Sequence, residues 1–572
     1  MAVQKLAVAL ITALTACSSP GRDVPPPLPP APVPSGAASP PASPRTTSVS
    51  VLGLNDLHGR ISALPVFAGH VAIVKEQRER EGGGVLLLDA GDMFQGTLES
   101  NLSEGESVIA AYRALGMQAA ALGNHEFDFG PVGEATSGDA QGAIKARIAQ
   151  AGFPVLSANL LDKATGKRPA WPGLEASVIV EVAGVKIGIV GGLTTQTASI
   201  VMPAFFSGLD VVPLAPAVER EAALLRRRGA SAVIAVLHAG GECKSFDDPR
   251  NLSSCDPQAE AFTLAEQLPA GSVDAIVGGH THAGVAHYVK GIAVVEAFSR
   301  GKAFSRLDLV FDRASGKLLE VEPLPPVTLC PEISKINCVV GRYEGKQVVP
   351  DAELSRLIAP YLRSAHDKRA QSLGPQVKGL LTPEHDVESA LGNLFADVTL
   401  EAVPGADVAV LNGGSLRAAI PEGPLTYGAL YEAMPFDNRL ASIRLQAKDL
   451  IHVLEHHLAH DHHGIVSIAG LSLEARCERG SLQVRLRRHN GKLLGPNEVL
   501  TVATSDYLAT GGDQLFTPAA LEHDRIQSDL GVSLREAMAL RLSQRASVDP
   551  KALLDSQRPR LKLPAGRPLT CN

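Results

Sequence analysis

Aromatic side chains make up only 4% of this 572-residue chain, with a single Trp, so rings that fall in polar, motif-like surroundings carry information. The chain also lacks a long basic run. Its 53 Lys and Arg against 60 Asp and Glu give a formal net charge of -7, which excludes a surface built for polymeric nucleic acid. No mature apolar run is long enough to span a bilayer as a helix, and no internal repeat is visible, which excludes a solenoid. Cysteine is sparse, at 7 residues, and none falls among the candidate metal ligands below. A structural zinc site built on thiolates is therefore excluded.

What is present begins with addressing information. Lys5 precedes the short apolar run LAVALITALTAC, the pattern of a signal peptide over residues 1 to 16. Leu14, Thr15 and Ala16 before Cys17 resemble the lipobox of bacterial lipoproteins, which implies lipidation at Cys17 and attachment to a membrane; the alternative is an ordinary cleaved signal with a chance Cys. Ser18, rather than Asp, favours an outer membrane facing a periplasm. Residues 17 to 46 are too rich in Pro to fold and read as a tether. The remaining cysteines are Cys243, Cys255, Cys330, Cys338, Cys477 and Cys571. In an exported protein they invite three disulfides, for which sequence alone allows fifteen connectivities. The close pairs Cys243/Cys255 and Cys330/Cys338 are the expectation, leaving Cys477 with Cys571; free buried thiols are the alternative.

The length suggests about three to four domains; we read two large ones plus tails, in a monomer. From residue 47 to 345, runs such as SVSVLGL, GVLLLDA, SAVIAVLH and VDAIVGG alternate with helical patterns such as AGHVAIVKEQRERE. That alternation predicts an α/β layered domain. Residues 346 to 372 read as a linker helix with a break near Pro360. Residues 373 to 572 mix a helical start, strand and turn material and a hairpin-like SLQVRLRRHNGKLL with an Asn-Gly turn, which predicts a smaller α+β domain.

Five short runs end hydrophobic stretches with metal-binding side chains: NDLHG, GDMFQG, GNHEFDFG, LHAGG and GGHTH. They offer Asp56, His58, Asp92, Asn124, His238, His280 and His282, mostly where a strand gives way to a loop, which is where open α/β sheets place their sites. Carboxylate, amide and imidazole together suit hard or borderline divalent ions. Asp92 comes from a second strand and could bridge two of them, and a two-metal site stabilises attacking and leaving oxygens and activates water. An isolated HxH or DxH pair usually has no special role; five such fragments in order point to phosphoester hydrolysis. His125 and Asp128, three residues apart, can meet, with Asp128 orienting and charging His125. A protonated His there would stabilise the transition state or protonate the leaving oxygen; the bland alternative is a core His beside a helix-terminal acid.

With these motifs in place the chain resembles the bacterial UDP-sugar hydrolase/5′-nucleotidase family over about residues 47 to 565. The resemblance implies a calcineurin-like metallophosphoesterase domain with mixed sheets flanked by helices, followed by a nucleotide-recognition domain. It implies two divalent ions (Mn, Zn, Fe, Co or Mg), one held by Asp56, His58, Asp92 and His282, the other by Asp92, Asn124, His238 and His280, with His125 and Asp128 as catalytic dyad. NGGSLRAAIPEG resembles the family's substrate motif, with Asn412 for hydrogen bonding, Gly413 and Gly414 for close backbone approach and Arg417 as a bidentate donor to substrate oxygens. MPFDNRL and YLATGGDQ place Phe436, Tyr507 and Asp513 where the family clamps the base and binds the ribose; core packing is the alternative for the two rings. The substrate implied is a nucleoside 5′-monophosphate or related nucleotide. UDP-sugars, NAD or 2′,3′-cyclic nucleotides are the nearest alternative, and a non-catalytic nucleotide- or metal-binding lipoprotein the alternative of another class.

Departures from the family pattern are also legible. His282 stands where the nucleotidases often carry an amide, Tyr507 where Phe is usual, and Val387 where several members carry an additional Arg. The second keeps stacking; the third removes a positive contact. HVLEHHLAHDHHG, with His452, His456, His457, His460, His462 and His463, belongs to no motif: it would either capture metal or form a solvated helix end.

Overall fold

In a computed structural model of the chain, the structure describes residues 45–133, 138–330, 332–333, 338–436, 438–460, 464–519, 526–564 and 568–571. The signal peptide, Cys17, nearly all of the tether, His462 and His463, and the side chain of Cys338 lie outside the described residues. No described helix is long and apolar enough to cross a membrane.

Five strands carry the site: β1 (Thr46–Leu54), β2 (Gly84–Asp89), β3 (Ala119–Ala121), β4 (Ala232–His238) and β5 (Ala275–Gly278). β1, β2 and β3 are consecutive in a seven-stranded sheet, and β5 and β4 are neighbours in a six-stranded one. Both sheets are mixed: β1 runs parallel to β2 and antiparallel to Ala303–Asp312. The period of two along β1 sends alternate residues to two buried faces. Val49 and Val51 face Ile189, Ile234, Val236 and Val277 of the other sheet in one core, while Leu52 and Leu54 join helix Leu64–Arg80 in another. On the far side, helices Leu214–Arg227 and Glu260–Gln267 cover the six-stranded sheet. The result is helix, sheet, sheet, helix, the layered α/β domain expected, and the sheets touch closely: a Cβ on Gly53 would come within 2.8 Å of Val277 Cγ1.

The second domain is built on a five-stranded sheet in the order Ser467–Ala469, Val408–Leu411, Val499–Ser505, Arg439–Gln446, Ile526–Ser533. Helices Ala390–Ala402 and Leu534–Ser543 share one core with it and Ala447–Ala459 the other, as an α+β fold requires. The expected Asn-Gly turn closes a short hairpin, with Arg488 N–H donating to Lys492 O at 2.9 Å and Leu494 N–H to Leu486 O at 3.1 Å, while the strand Ser481–Arg488 also pairs along its length with Leu471–Glu478.

The segment between the domains corrects one expectation. Helix Ala352–Ala370 runs through Pro360 without the break. Pro360 lies on the exposed side, where the carbonyl it leaves unpaired can turn to water, and the helix is anchored at both ends. Leu354 and Ile358 are buried in the first domain's core and Ala365 in the second's, and Arg369 pairs with Glu99 at 2.7 Å. Disulfides join Cys243 to Cys255 and Cys477 to Cys571, as expected for those two pairs.

Candidate active site

Sheet register brings the metal-binding runs to one rim. Leu54 lies opposite Asp89 and Leu237 opposite Gly278, so the loops after β1 and β2 emerge level in one sheet and those after β4 and β5 level in the other. Asp56 N–H donates to Gly91 O at 2.9 Å, His58 N–H to Asp92 O at 3.0 Å and Gly59 N–H to Met93 O at 2.9 Å, zipping NDLHG to GDMFQG. Asp56, His58, Asp92, His280 and His282 all have positive φ, between 49° and 83°. Five non-glycine residues in left-handed backbone at one place is the strain that functional sites store.

Two groups of candidate ligands converge: Asp56, His58 and His282, and Asp92, His238 and His280. Asn124 joins the second, its Oδ1 3.0 Å from His238 Nε2. Asp92 lies between them, its Oδ2 3.1 Å from His238 Nε2 and 3.9 Å from His58 Nε2. All seven predicted ligands are thus brought together. Asp56 supplies the test of fit. Its Oδ2 accepts hydrogen bonds from Asn55 Nδ2 (2.8 Å) and the His280 N–H (2.9 Å), whereas Oδ1 is buried without one, 3.3 Å from His282 Nε2 and 4.0 Å from His58 Nε2. A buried carboxylate oxygen turned toward imidazole nitrogens, themselves 3.0 Å apart, fits a divalent cation. His58 and His238 give their Nδ1 atoms to the carbonyls of Gln95 (2.8 Å) and Ala90 (2.9 Å), which fixes the rings and leaves Nε2 as ligand. The third group of possible ligands, Cys243, Cys255 and His287, is occupied by a disulfide. None of His452, His456, His457 or His460 enters such a group among the described residues.

Charge follows from burial and neighbours. Burial pushes His58 down to about 4, against the pull of Asp92, and burial with the adjacent His238 pushes His280 down to about 4; both rings are held neutral, as a metal ligand must be. Burial also opposes the charge on His238, but Asp92 beside it raises it to about 10. Cation binding must displace that proton. His125 behaves the same way: burial disfavours its charge, yet the carboxylates of Asp128 and Asp92 hold it up at about 10. Its Nδ1 donates to Asp128 Oδ2 at 2.6 Å, so the expected pair forms between the 3₁₀ turn Asn124–Phe127 and the residue that caps its end. Its ring lies 5.3 Å from that of His58.

A cavity of about 400 Å³ opens beside this pair. His125 and Asp128 line it from the first domain, and Asn412, Gly414, Arg417, Phe436, Tyr507 and Asp513 from the second. Asp513 accepts from Asn412 Nδ2 (2.5 Å) and from the Tyr507 hydroxyl (2.8 Å), a bond that the more usual Phe could not make. The Arg417 guanidinium lies 5.2 Å from the Phe436 ring centre. Gly413 has no room for a side chain, since a Cβ there would meet Ile465 O at 2.5 Å. Val387 is 57% exposed and is not among the residues lining the cavity.

Three contributors were missed by motif reading. Glu126, 1% exposed, accepts four backbone N–H groups: Gly123 (2.6 Å) and Asp92 (2.9 Å) on Oε2, Met93 (2.7 Å) and Phe94 (3.2 Å) on Oε1. Glu296 takes the Gly241 N–H at 2.9 Å and lies 2.7 Å from the Thr281 hydroxyl, tying LHAGG to GGHTH. Gln95 lines the cavity and donates from Nε2 to Pro435 O of the other domain at 3.5 Å. Glu126 and Gln95 stood inside quoted motifs; nothing local marked Glu296.

Comparison with known proteins agrees with this architecture. Residues 49–284 match the model of the calcineurin-like phosphoesterases, and 376–521 that of the 5′-nucleotidase C-terminal domain. The protein UshA of Yersinia enterocolitica is 28% identical over 506 residues, covering 82% of this chain and 86% of UshA. Endonuclease YhcR of Bacillus subtilis is 26% identical over 490 residues; the match takes in 82% of this chain but only 38% of that longer protein. The crystal structure of a 5′-nucleotidase precursor from Thermus thermophilus superposes with a TM-score of 0.63 at 24% identity, over 90% of this chain and 99% of that one. The expected two-domain fold is therefore present, and the chain belongs to the calcineurin-like phosphoesterases that carry a 5′-nucleotidase C-terminal domain, a family of metal-dependent hydrolases.

Proposed function

We propose that this protein removes phosphate from nucleoside 5′-monophosphates or closely related nucleotides. The observation that carries this is a cavity lined jointly by the His125/Asp128 pair and by all six substrate residues of the second domain. Asp56, His58, Asp92 and His282 would hold one divalent ion, and Asp92, Asn124, His238 and His280 the other. Bound there, such ions would supply charge neutralisation and water activation.

The chain's own groups do the rest. His125, charged by Asp128, donates its proton to the leaving ribose oxygen. Arg417 binds substrate oxygens, Phe436 and Tyr507 hold the base, and Asp513, already oriented by Asn412 and Tyr507, takes the ribose hydroxyls. Gly414 lets backbone approach the ligand. We further propose the domain limits 47–345 and 373–572 with the linking segment 346–372 between them, a monomer, and an exported enzyme held at the cell envelope by lipid on Cys17.

The test is phosphate release from AMP by metal-reconstituted protein, compared with hydrolysis of bis(p-nitrophenyl) phosphate. Base stacking on one ring is worth about 1 to 3 kcal/mol, so Phe436→Ala should raise KM for AMP roughly tenfold to a hundredfold and leave the small ester almost unchanged. Equal losses on both substrates would make Phe436 a packing residue and end the nucleotide assignment.

A further inference from the structure

Arg535 is in an odd place for its helix. It occupies the first turn of Leu534–Ser543, where the helix dipole disfavours a cation, and it is only 5% exposed, where a charge is costly unless fully paired. Neither propensity nor hydrophobic packing explains it. Its partners do: Nη1 donates to Phe436 O at 2.9 Å and to Met434 O at 3.2 Å, Nε to the Tyr427 hydroxyl at 3.1 Å, and the guanidinium lies 4.6 Å from the centre of the Tyr431 ring.

The carbonyls it holds flank Pro435 in the stretch that follows helix Tyr427–Ala433, whose last bond runs from the Met434 N–H to Leu430 O at 3.0 Å, and that precedes strand Arg439–Gln446. The neighbouring residue of Arg535's helix repeats the pattern in the other direction, as the Leu534 N–H donates to Asn438 O at 2.8 Å. Thus carbonyls on both sides of the Phe436 loop end on one helix start about 100 positions away. Tyr427 is tied in turn: its hydroxyl donates to Glu536 at 2.5 Å, and Lys368 of the interdomain helix lies 4.0 Å from its ring centre.

We propose that Arg535 is a positioning residue for nucleotide binding, holding the Met434–Phe436 backbone so that the Phe436 ring stands where a base stacks. This rests on the assignment of Phe436 as a base-stacking ring. A planar fork with several donors can serve two carbonyls, a hydroxyl and a ring face at once; an ammonium on a flexible stem cannot. The partners of Arg535 named above include no metal ligand and neither member of the His125/Asp128 pair, so its effect falls on KM and not on kcat.

The experiment is a double-substitution cycle on the full, metal-reconstituted chain. Arg535→Lys should raise KM for AMP about threefold to tenfold, a fraction of the loss from removing the ring, with kcat and bis(p-nitrophenyl) phosphate hydrolysis unchanged. In a Phe436→Ala background the same substitution should add nothing, because the ring it positions is gone. Additive effects, equal loss on both substrates or an unchanged KM would overturn the proposal. Should Arg535→Lys fail to fold, Tyr427→Phe, which removes only the hydroxyl shared with Arg535, must show the same KM effect and the same non-additivity, and the proposal falls if it does not. If Phe436→Ala itself leaves KM for AMP untouched, the base-stacking assignment fails and takes this inference with it; if Phe436→Ala shows the split and Arg535→Lys does not, only this inference fails.

Discussion

Replacing Glu126 by Gln is the most informative small change available in the metal-bearing loops. Each carboxylate oxygen of Glu126 accepts two backbone N–H groups, Gly123 and Asp92 on one, Met93 and Phe94 on the other. An amide keeps the shape but presents only one oxygen. Whichever way it turns, its NH₂ group faces two N–H donors in a site that is 1% exposed. Two buried donors left unsatisfied cost about 1 to 3 kcal/mol each, so the substitution should destabilise by roughly 2 to 6 kcal/mol, a large part of the about 5 to 15 kcal/mol that holds a typical protein folded. Because the loop that loosens carries Asp92, metal affinity should fall with stability, by about the tenfold to hundredfold seen when groups behind a ligand are lost. Urea denaturation with and without Mn²⁺, together with metal content after dialysis, measures both. Wild-type denaturation midpoint and wild-type metal retention in Glu126→Gln would refute the clamp.

Asp92→Asn weakens the one carboxylate placed between both ligand groups; it should remove most hydrolysis and lower metal content with the fold nearly intact, and full turnover would sink the two-metal assignment. His125→Ala should retain metal and lose rate, more on AMP, whose ribose oxygen needs a proton to leave, than on a p-nitrophenyl ester. Since His125 is raised from 6.5 to about 10, its proton is fully present below the unfolded value and is lost as pH rises through about 10. A pH-rate profile should therefore show an alkaline fall in the wild type that is missing in His125→Ala. Cys17→Ser should leave the protein without fatty acid in metabolic labelling, and label persisting in the variant would exclude Cys17 as the lipid site.

The ligand runs were legible because each combines a strand signal with a chemically distinctive ending, and register does the remaining work: once β1 and β2 pair with Leu54 opposite Asp89, Asp56 and Asp92 can hardly avoid each other. The substrate motifs were legible for a similar reason, Gly-rich turns flanking rare rings. Glu296 was not, because its partners Gly241 and Thr281 lie 55 and 15 positions away and a lone Glu in the strand IAVVEA has no local mark. Pro360 misled because the proline rule is local, whereas Leu354, Ile358 and Ala365 secure its helix in two cores. The Asn-Gly turn was legible because its signal is local, and it closes a short hairpin in which the Arg488 N–H meets Lys492 O.

The left-handed backbone at Asp56, His58, Asp92, His280 and His282 sets stability and catalysis against each other. A side chain in that conformation costs about 1 to 2 kcal/mol, so five of them amount to about 5 kcal/mol or more, on the scale of the whole folding free energy. Gly at any of these positions would relieve the strain while deleting a ligand. Selection for robustness alone would therefore erode the metal centre one residue at a time, and a lineage that lost the need for hydrolysis should drift toward a sturdier, inert version of the same fold.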